Sequence, residues 1–118
     1  MADVGLFIGW GAPVRGREAK GLDVFNEAIG FYGKCQEDGR VASFDAVLLE
    51  PHGGDLAGFF LLRGSTEQIG SLRSSEDFLQ LMTRAGLIVE GLGVVGAFHG
   101  ESLGQQIGTY QQAIGELG

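Results

Sequence analysis

The sequence is poor in the residues from which small proteins build reactive or extracellular sites. It has a single cysteine, Cys35, which excludes an internal disulfide and a cysteine-based zinc site. Its place inside a helical pattern predicts a buried core residue and a reducing compartment. Histidines number two, His52 and His99. No His-x-His or His-x-x-x-His spacing brings three or four ligands together, so neither a metal nor a cofactor is expected. Eight basic residues stand against fifteen acidic ones, a formal charge of −7, which argues against nucleic acid as a partner. No apolar run approaches the roughly 18 residues of a membrane span. Met1-Ala-Asp-Val is not a basic region leading into an apolar one, and a soluble, cytoplasmic protein without a membrane partner is expected.

What the chain does have is apolar surface and glycine: 44% hydrophobic residues, eight phenylalanines and 22 glycines in 118 residues. That length suits one domain, residues 1–118, able to bury roughly two thirds of its unfolded surface. The stretch Ala57–Arg63, Ala-Gly-Phe-Phe-Leu-Leu-Arg, carries the strongest constraint. Phe59 and Leu61 have one parity, Phe60 and Leu62 the other, so as a strand it shows apolar side chains on both faces. Helices of so short a chain can cover one face. The other must meet something else, most simply a second copy, and a homodimer joined through the sheet face is expected.

The remaining segments fall around that strand. Val4–Trp10 reads as a first strand, with Val4, Leu6, Ile8 and Trp10 on one parity. After a loop holding Pro13 and Gly16, a helix is predicted over Glu18–Glu37, with Leu22, Phe25, Ala28, Ile29, Tyr32 and Cys35 as its apolar stripe and Gly39 as its end. Gly30 and Gly33, unfavourable inside a helix, are expected where its backbone nears the sheet. Val41–Glu50 is a second strand, hairpinned to the third through Pro51–Leu56. Ser65 and Gln68 have capping-box spacing, and a second start at Ser75 predicts a helical segment broken near Arg73–Ser75. Leu87–His99 is read as a last strand bent at Gly91, Gly93 or Gly96. Leu103, Ile107, Tyr110, Gln111 and Ile114 have helical spacing and predict a tail helix over a sheet edge or a partner subunit.

The order β-α-β-β-α-β plus a helix is α+β and ferredoxin-like: a four-stranded antiparallel sheet with its helices on one face. With the segment Arg63-Gly-Ser-Thr-Glu-Gln-Ile-Gly-Ser-Leu-Arg-Ser-Ser-Glu-Asp-Phe, the pattern over residues 4–100 resembles the dimeric α+β barrel superfamily. That resemblance implies two sheets packed face to face and pockets between sheet and helices. Some members are cofactor-independent monooxygenases or isomerases. Another branch handles haem through a histidine in the second helical segment, and Ser65–Ala85 contains no histidine.

Candidate ligand-binding residues are the aromatic and thioether side chains expected to face one space, Trp10, Phe25, Tyr32, Phe44, Phe78 and Met82, and Arg15 and Arg17, which with Lys20 surround the first helix's N-terminus, where an anion is favoured. Each has a plain structural alternative, as core packing or as solvated loop. His99, at the end of the last strand, is the candidate catalytic residue, against a structural role. His52 is expected on a solvated loop. Gly91-Leu-Gly-Val-Val-Gly96 matches G-x-G-x-x-G, but inside a strand and with no following helix and parallel strand it reads as curvature. Asp45, on the parity of Val47 and Leu49, is expected either at the dimer interface near a basic partner such as Arg63 or at the rim, as a structural ion pair and not a general base. Two functions compete: a homodimer binding a small apolar or aromatic molecule between sheet and helices, with monooxygenase-like or isomerase-like chemistry as its enzymatic extension, or a non-catalytic dimerisation or regulatory module.

Overall fold

A computed structural model describes residues 4–118. Its elements run β1 (Val4–Trp10), α1 (Glu18–Glu37), β2 (Ser43–Leu48), β3 (Gly58–Gly64), α2 (Thr66–Arg73), α3 (Glu76–Gly86), β4 (Gly93–Phe98) and α4 (Glu101–Leu117). The strands form one sheet in the order β2-β3-β1-β4, every pair antiparallel. This is the split arrangement that the order of elements predicts.

Strand parity divides the sheet into two unlike faces. Leu6 pairs with Leu62 and Ile8 with Phe60, and all four are buried in the core with Ala28, Tyr32 and Cys35 of α1, Ile69 and Leu72 of α2, and Phe78 and Leu81 of α3. The helices therefore cover this face. The opposite parity carries Phe7, Phe59, Leu61, Val47 and Val95, with Leu61 opposite both Phe7 and Asp45. Among the described residues no helix covers these side chains, which are half-buried or exposed.

Local chemistry explains the breaks between the helices. The Ser65 hydroxyl accepts from the Gln68 N–H at 3.1 Å, while Gln68 Oε1 accepts from the Ser65 N–H at 2.8 Å, closing a capping box. At the second start Ser75 occupies the cap position, but its hydroxyl turns back and donates to the Leu72 carbonyl at 2.6 Å. Arg40 fastens this corner: its guanidinium donates to both oxygens of Asp77, at 2.7 and 3.0 Å, and to Ser75 Oγ at 3.0 Å.

Three expectations are corrected. The last strand starts at Gly93, not Leu87. Residues 88–90 instead bond to 11–14, Val14 N–H to Ile88 O at 2.8 Å and Glu90 N–H to Ala12 O at 2.9 Å, and the chain then turns at Gly91 with φ +63°, a conformation that glycine adopts without strain. Leu22 and Ile29 face solvent, because the buried stripe of α1 runs through Ala28, Tyr32 and Cys35 with Val24, Phe25 and Phe31 beside it. Gly30 and Gly33 are not packed on the sheet, since a Cβ at either position would meet no atom within 4 Å.

Candidate functional site

An apolar cleft opens between α1 and α3. Ile8 and Trp10 of β1 and Phe60 of β3 line it with Val24, Phe25 and Ala28 of α1, Leu81, Met82 and Ala85 of α3, and Ile88, Val89 and Leu92 of the segment after α3. Its free volume is about 60 Å³, room for a few waters, against the ~300–1,000 Å³ of pockets that hold drug-sized ligands, so a ring bound there would lie partly in the cleft's open mouth. Arg84 of α3 pairs with Glu27 of α1, linking the two helices that flank the cleft. Among the described residues none of the lining side chains ionises.

Phe60 is the hub of an aromatic chain that runs through the covered face. Its ring centroid lies 5.2 Å from Trp10, 5.5 Å from Phe25 and 4.9 Å from Tyr32, and Tyr32 continues to Phe44 at 6.0 Å. Trp10 lies 5.9 Å from Phe25, edge to face, a favourable arrangement for aromatic pairs. Its position depends on Gly58, the residue opposite it on β3. A Cβ on Gly58 would lie 2.8 Å from the Trp10 ring and 2.7 Å from the Val47 carbonyl oxygen.

The structure brings together three of the residues singled out from the sequence, Trp10, Phe25 and Met82, in the lining of this cleft. Tyr32 and Phe78 are fully buried core residues, and Phe44 packs against the core beside Tyr32. Burial drives the Tyr32 phenol well above its ordinary pKa, and its hydroxyl has no hydrogen-bond partner among the described residues. Arg15 and Arg17 are exposed in the loop before α1 and do not line the cleft. His99 also lies apart from it, on the parity of Val95 and Ala97, that is, of the uncovered face. Its backbone N–H donates to Ser102 Oγ at 2.9 Å, Ser102 donates back to its carbonyl at 2.8 Å, and its buried Nε2 has no partner among the described residues. His52 is exposed and braces the β2–β3 loop, its Nδ1 accepting from the Gly54 N–H at 3.2 Å and its Nε2 2.8 Å from the Leu56 carbonyl.

The second face is as distinctive as the cleft. Gly9 leaves room for the Phe7 ring to lie across it: a Cβ there would fall 2.6 Å from that ring. Phe7 thereby stacks on Phe59 with centroids 5.1 Å apart. Beside this aromatic patch Arg63 pairs with Asp45 at 2.6 Å, the ion pair expected from parity.

No family model matches this chain, and no curated protein matches it in sequence. Among solved structures it is similar to a dimeric protein of unknown function from Bacteroides fragilis NCTC 9343, described as having a ferredoxin-like fold. The superposition has a TM-score of 0.60 and covers 80% of this chain and 95% of that one, at 8% sequence identity. The fold is ferredoxin-like. At that identity the likeness carries the architecture, not an activity. Among the described residues no helix is long and apolar enough to cross a membrane, and no group of three or more histidine, cysteine or acidic side chains is placed to hold a metal.

Proposed function

We propose that this protein is a homodimeric binding module: two copies join through the uncovered sheet faces, and each holds a small, uncharged, apolar molecule in the cleft beside Trp10. The observation that carries the reading is the lining itself, which combines two aromatic rings, Trp10 and Phe25, with aliphatic side chains and has no ionisable group. Such a lining favours an apolar ring or short chain and provides nothing to move a proton. Binding is therefore favoured over monooxygenase-like or isomerase-like chemistry, because His99, the residue that would serve such chemistry, lies outside the cleft.

Homodimerisation is supported by the Phe7–Phe59 stack, Leu61 and Val95 on the uncovered face and by the dimeric state of the structural neighbour. Trp10 is the only tryptophan and also borders a second, more polar cavity with Asp55 and Glu90, so a change in its fluorescence reports the apolar cleft when a substitution in that cleft removes it. Titration with toluene and cyclohexane is expected to give a saturable change in Trp10 emission, which Ala85→Leu, by filling the cleft, abolishes. Unchanged emission in the wild type at saturating toluene rejects the ligand reading. Sedimentation equilibrium tests the dimer separately, and a monomer at tens of micromolar rejects that part.

A further inference from the structure

Helix α4 is built unlike the other helices. Leu103, Ile107, Tyr110 and Ile114 recur at spacings of four, three and four, which gathers them into one stripe. They are between 47% and 66% exposed, and α4 has no buried residue. Among the described residues its only substantial packing is against β4. From Ser102 to Gly115 there is not one charged residue, so no ion pair supports the helix along its length. Gly104, Gly108 and Gly115 lower its intrinsic propensity further. A helix of this composition is held by tertiary packing of its apolar face, and here that face has no cover among the described residues.

We infer that α4 is a docking arm whose stripe packs against a second copy of this chain. The inference rests on the homodimer proposed above and adds to it an element that the sheet face does not include. Three observations point to a second copy as the occupant. The arm leaves β4 directly after Phe98 and His99 and packs against that strand, which also carries Val95, 54% exposed on the uncovered sheet face, so the arm starts at the edge of the face through which the two copies are proposed to join. Each copy carries a formal charge of −7; two like-charged chains are least opposed where they meet through a segment without charge. The stripe exposes roughly 400 Å² of mostly apolar surface, and two stripes supply about 800 Å², which reaches the ~1,000 Å² of a specific interface once the sheet faces are added.

Hydrogen exchange of the full chain tests this without any substitution in α4. Amides of residues 103–117 are expected to exchange at least ~10-fold more slowly in the dimer than after dilution to monomer or in the full-length Leu61→Arg monomer. A second measurement uses Ile107→Gln with Tyr110→Ala, which is expected to weaken dimerisation ~10-fold or more while leaving the slowest-exchanging core amides of β1 and β3 unchanged. A dimer in which α4 exchanges as fast as in the monomer, or whose dissociation constant the double variant leaves unchanged, overturns the inference and leaves the sheet-face dimer standing. A wild-type chain that stays monomeric overturns both, and an α4 equally protected in monomer and dimer shows that the arm is held within its own chain.

Discussion

Leu61 and Leu62 are the same residue type at adjacent positions of one strand, and they sit in different environments. Leu62 is fully buried beneath the helices, whereas Leu61 faces away from them, between Phe7 and Asp45. The covered face is interlocking: Phe60 touches three other rings and Trp10 fits against Gly58. The open face carries one ring pair, Phe7 stacked on Phe59 across the space that Gly9 leaves. Interdigitated packing holds one chain together, while apolar side chains left without a cover are those a second copy would have to meet.

The pair gives the largest expected effects. Leu62→Ala should cost about 3 kcal/mol of stability, the usual loss for a leucine removed from a close-packed core, read from urea unfolding at one fixed protein concentration. Leu61→Arg should leave the monomer's fold and circular dichroism intact while raising the dimer dissociation constant at least ~100-fold, about 2.7 kcal/mol. Should Leu61→Arg remain a dimer of wild-type affinity, the open face is not the interface and the contrast between the two leucines is one of burial alone.

Tyr32 sharpens the comparison from the covered side. Its hydroxyl is buried without a hydrogen-bond partner among the described residues, and an unpaired buried polar group opposes folding. Tyr32→Phe removes that oxygen and keeps the contacts with Phe60 and Phe44. The variant is expected to be as stable as the wild type or more stable by up to ~1 kcal/mol in thermal or urea unfolding. A loss of more than 1 kcal/mol would mean that a bound water or ligand pairs with the hydroxyl.

Much of this architecture was legible because it is written in local spacing. The bounds of α1, the break after Arg73, the Ser65–Gln68 capping box and the Asp45–Arg63 pair each follow from residues a few positions apart or from strand parity. The cleft was legible only in part. Trp10, Phe25 and Met82 announce themselves as large side chains on elements that share a face. Ile88 and Val89 do not, because their segment reads as strand and is in fact an irregular ladder against residues 11–14. Leu22 illustrates the same limit from the other side: its periodicity is helical, yet which flank of the apolar stripe is buried depends on where α3 lies. Arg40 gave no signal, since its partners Ser75 and Asp77 are 35 and 37 positions away.

Salt separates the two faces by a smaller effect. With a formal charge of −7 on each copy, raising sodium chloride from about 0.05 to 0.5 M should tighten the dimer two- to five-fold by screening repulsion between subunits, whereas unfolding of the Leu61→Arg monomer should respond much less. Weaker dimerisation at high salt would reverse the reading and indicate that Arg63 and Asp45 pair across the interface rather than within one sheet.

The smallest expected effect lies at the corner that Arg40 fastens, away from both faces. Paired with the guanidinium, and accepting from the Phe78 N–H at 2.8 Å, the Asp77 carboxyl is held well below the usual carboxylate range. A carboxyl whose pKa is lower in the folded chain than in the unfolded one stabilises the fold fully above the unfolded value, near 4, and loses that contribution as the pH falls further. Half of the Asp77 side chain is exposed, so solvent screening limits the contribution to about 0.5 kcal/mol. Asp77→Asn should therefore lower stability by that amount at pH 7 and by progressively less from about pH 4 downward, read from urea midpoints across the pH series in the Leu61→Arg background to keep dimerisation out of the comparison. An equal deficit at pH 7 and pH 3 would assign the loss to the altered hydrogen bonds of the corner and not to the charge, leaving Arg40 as a packing residue that also lies 5.6 Å from the Phe31 ring centroid.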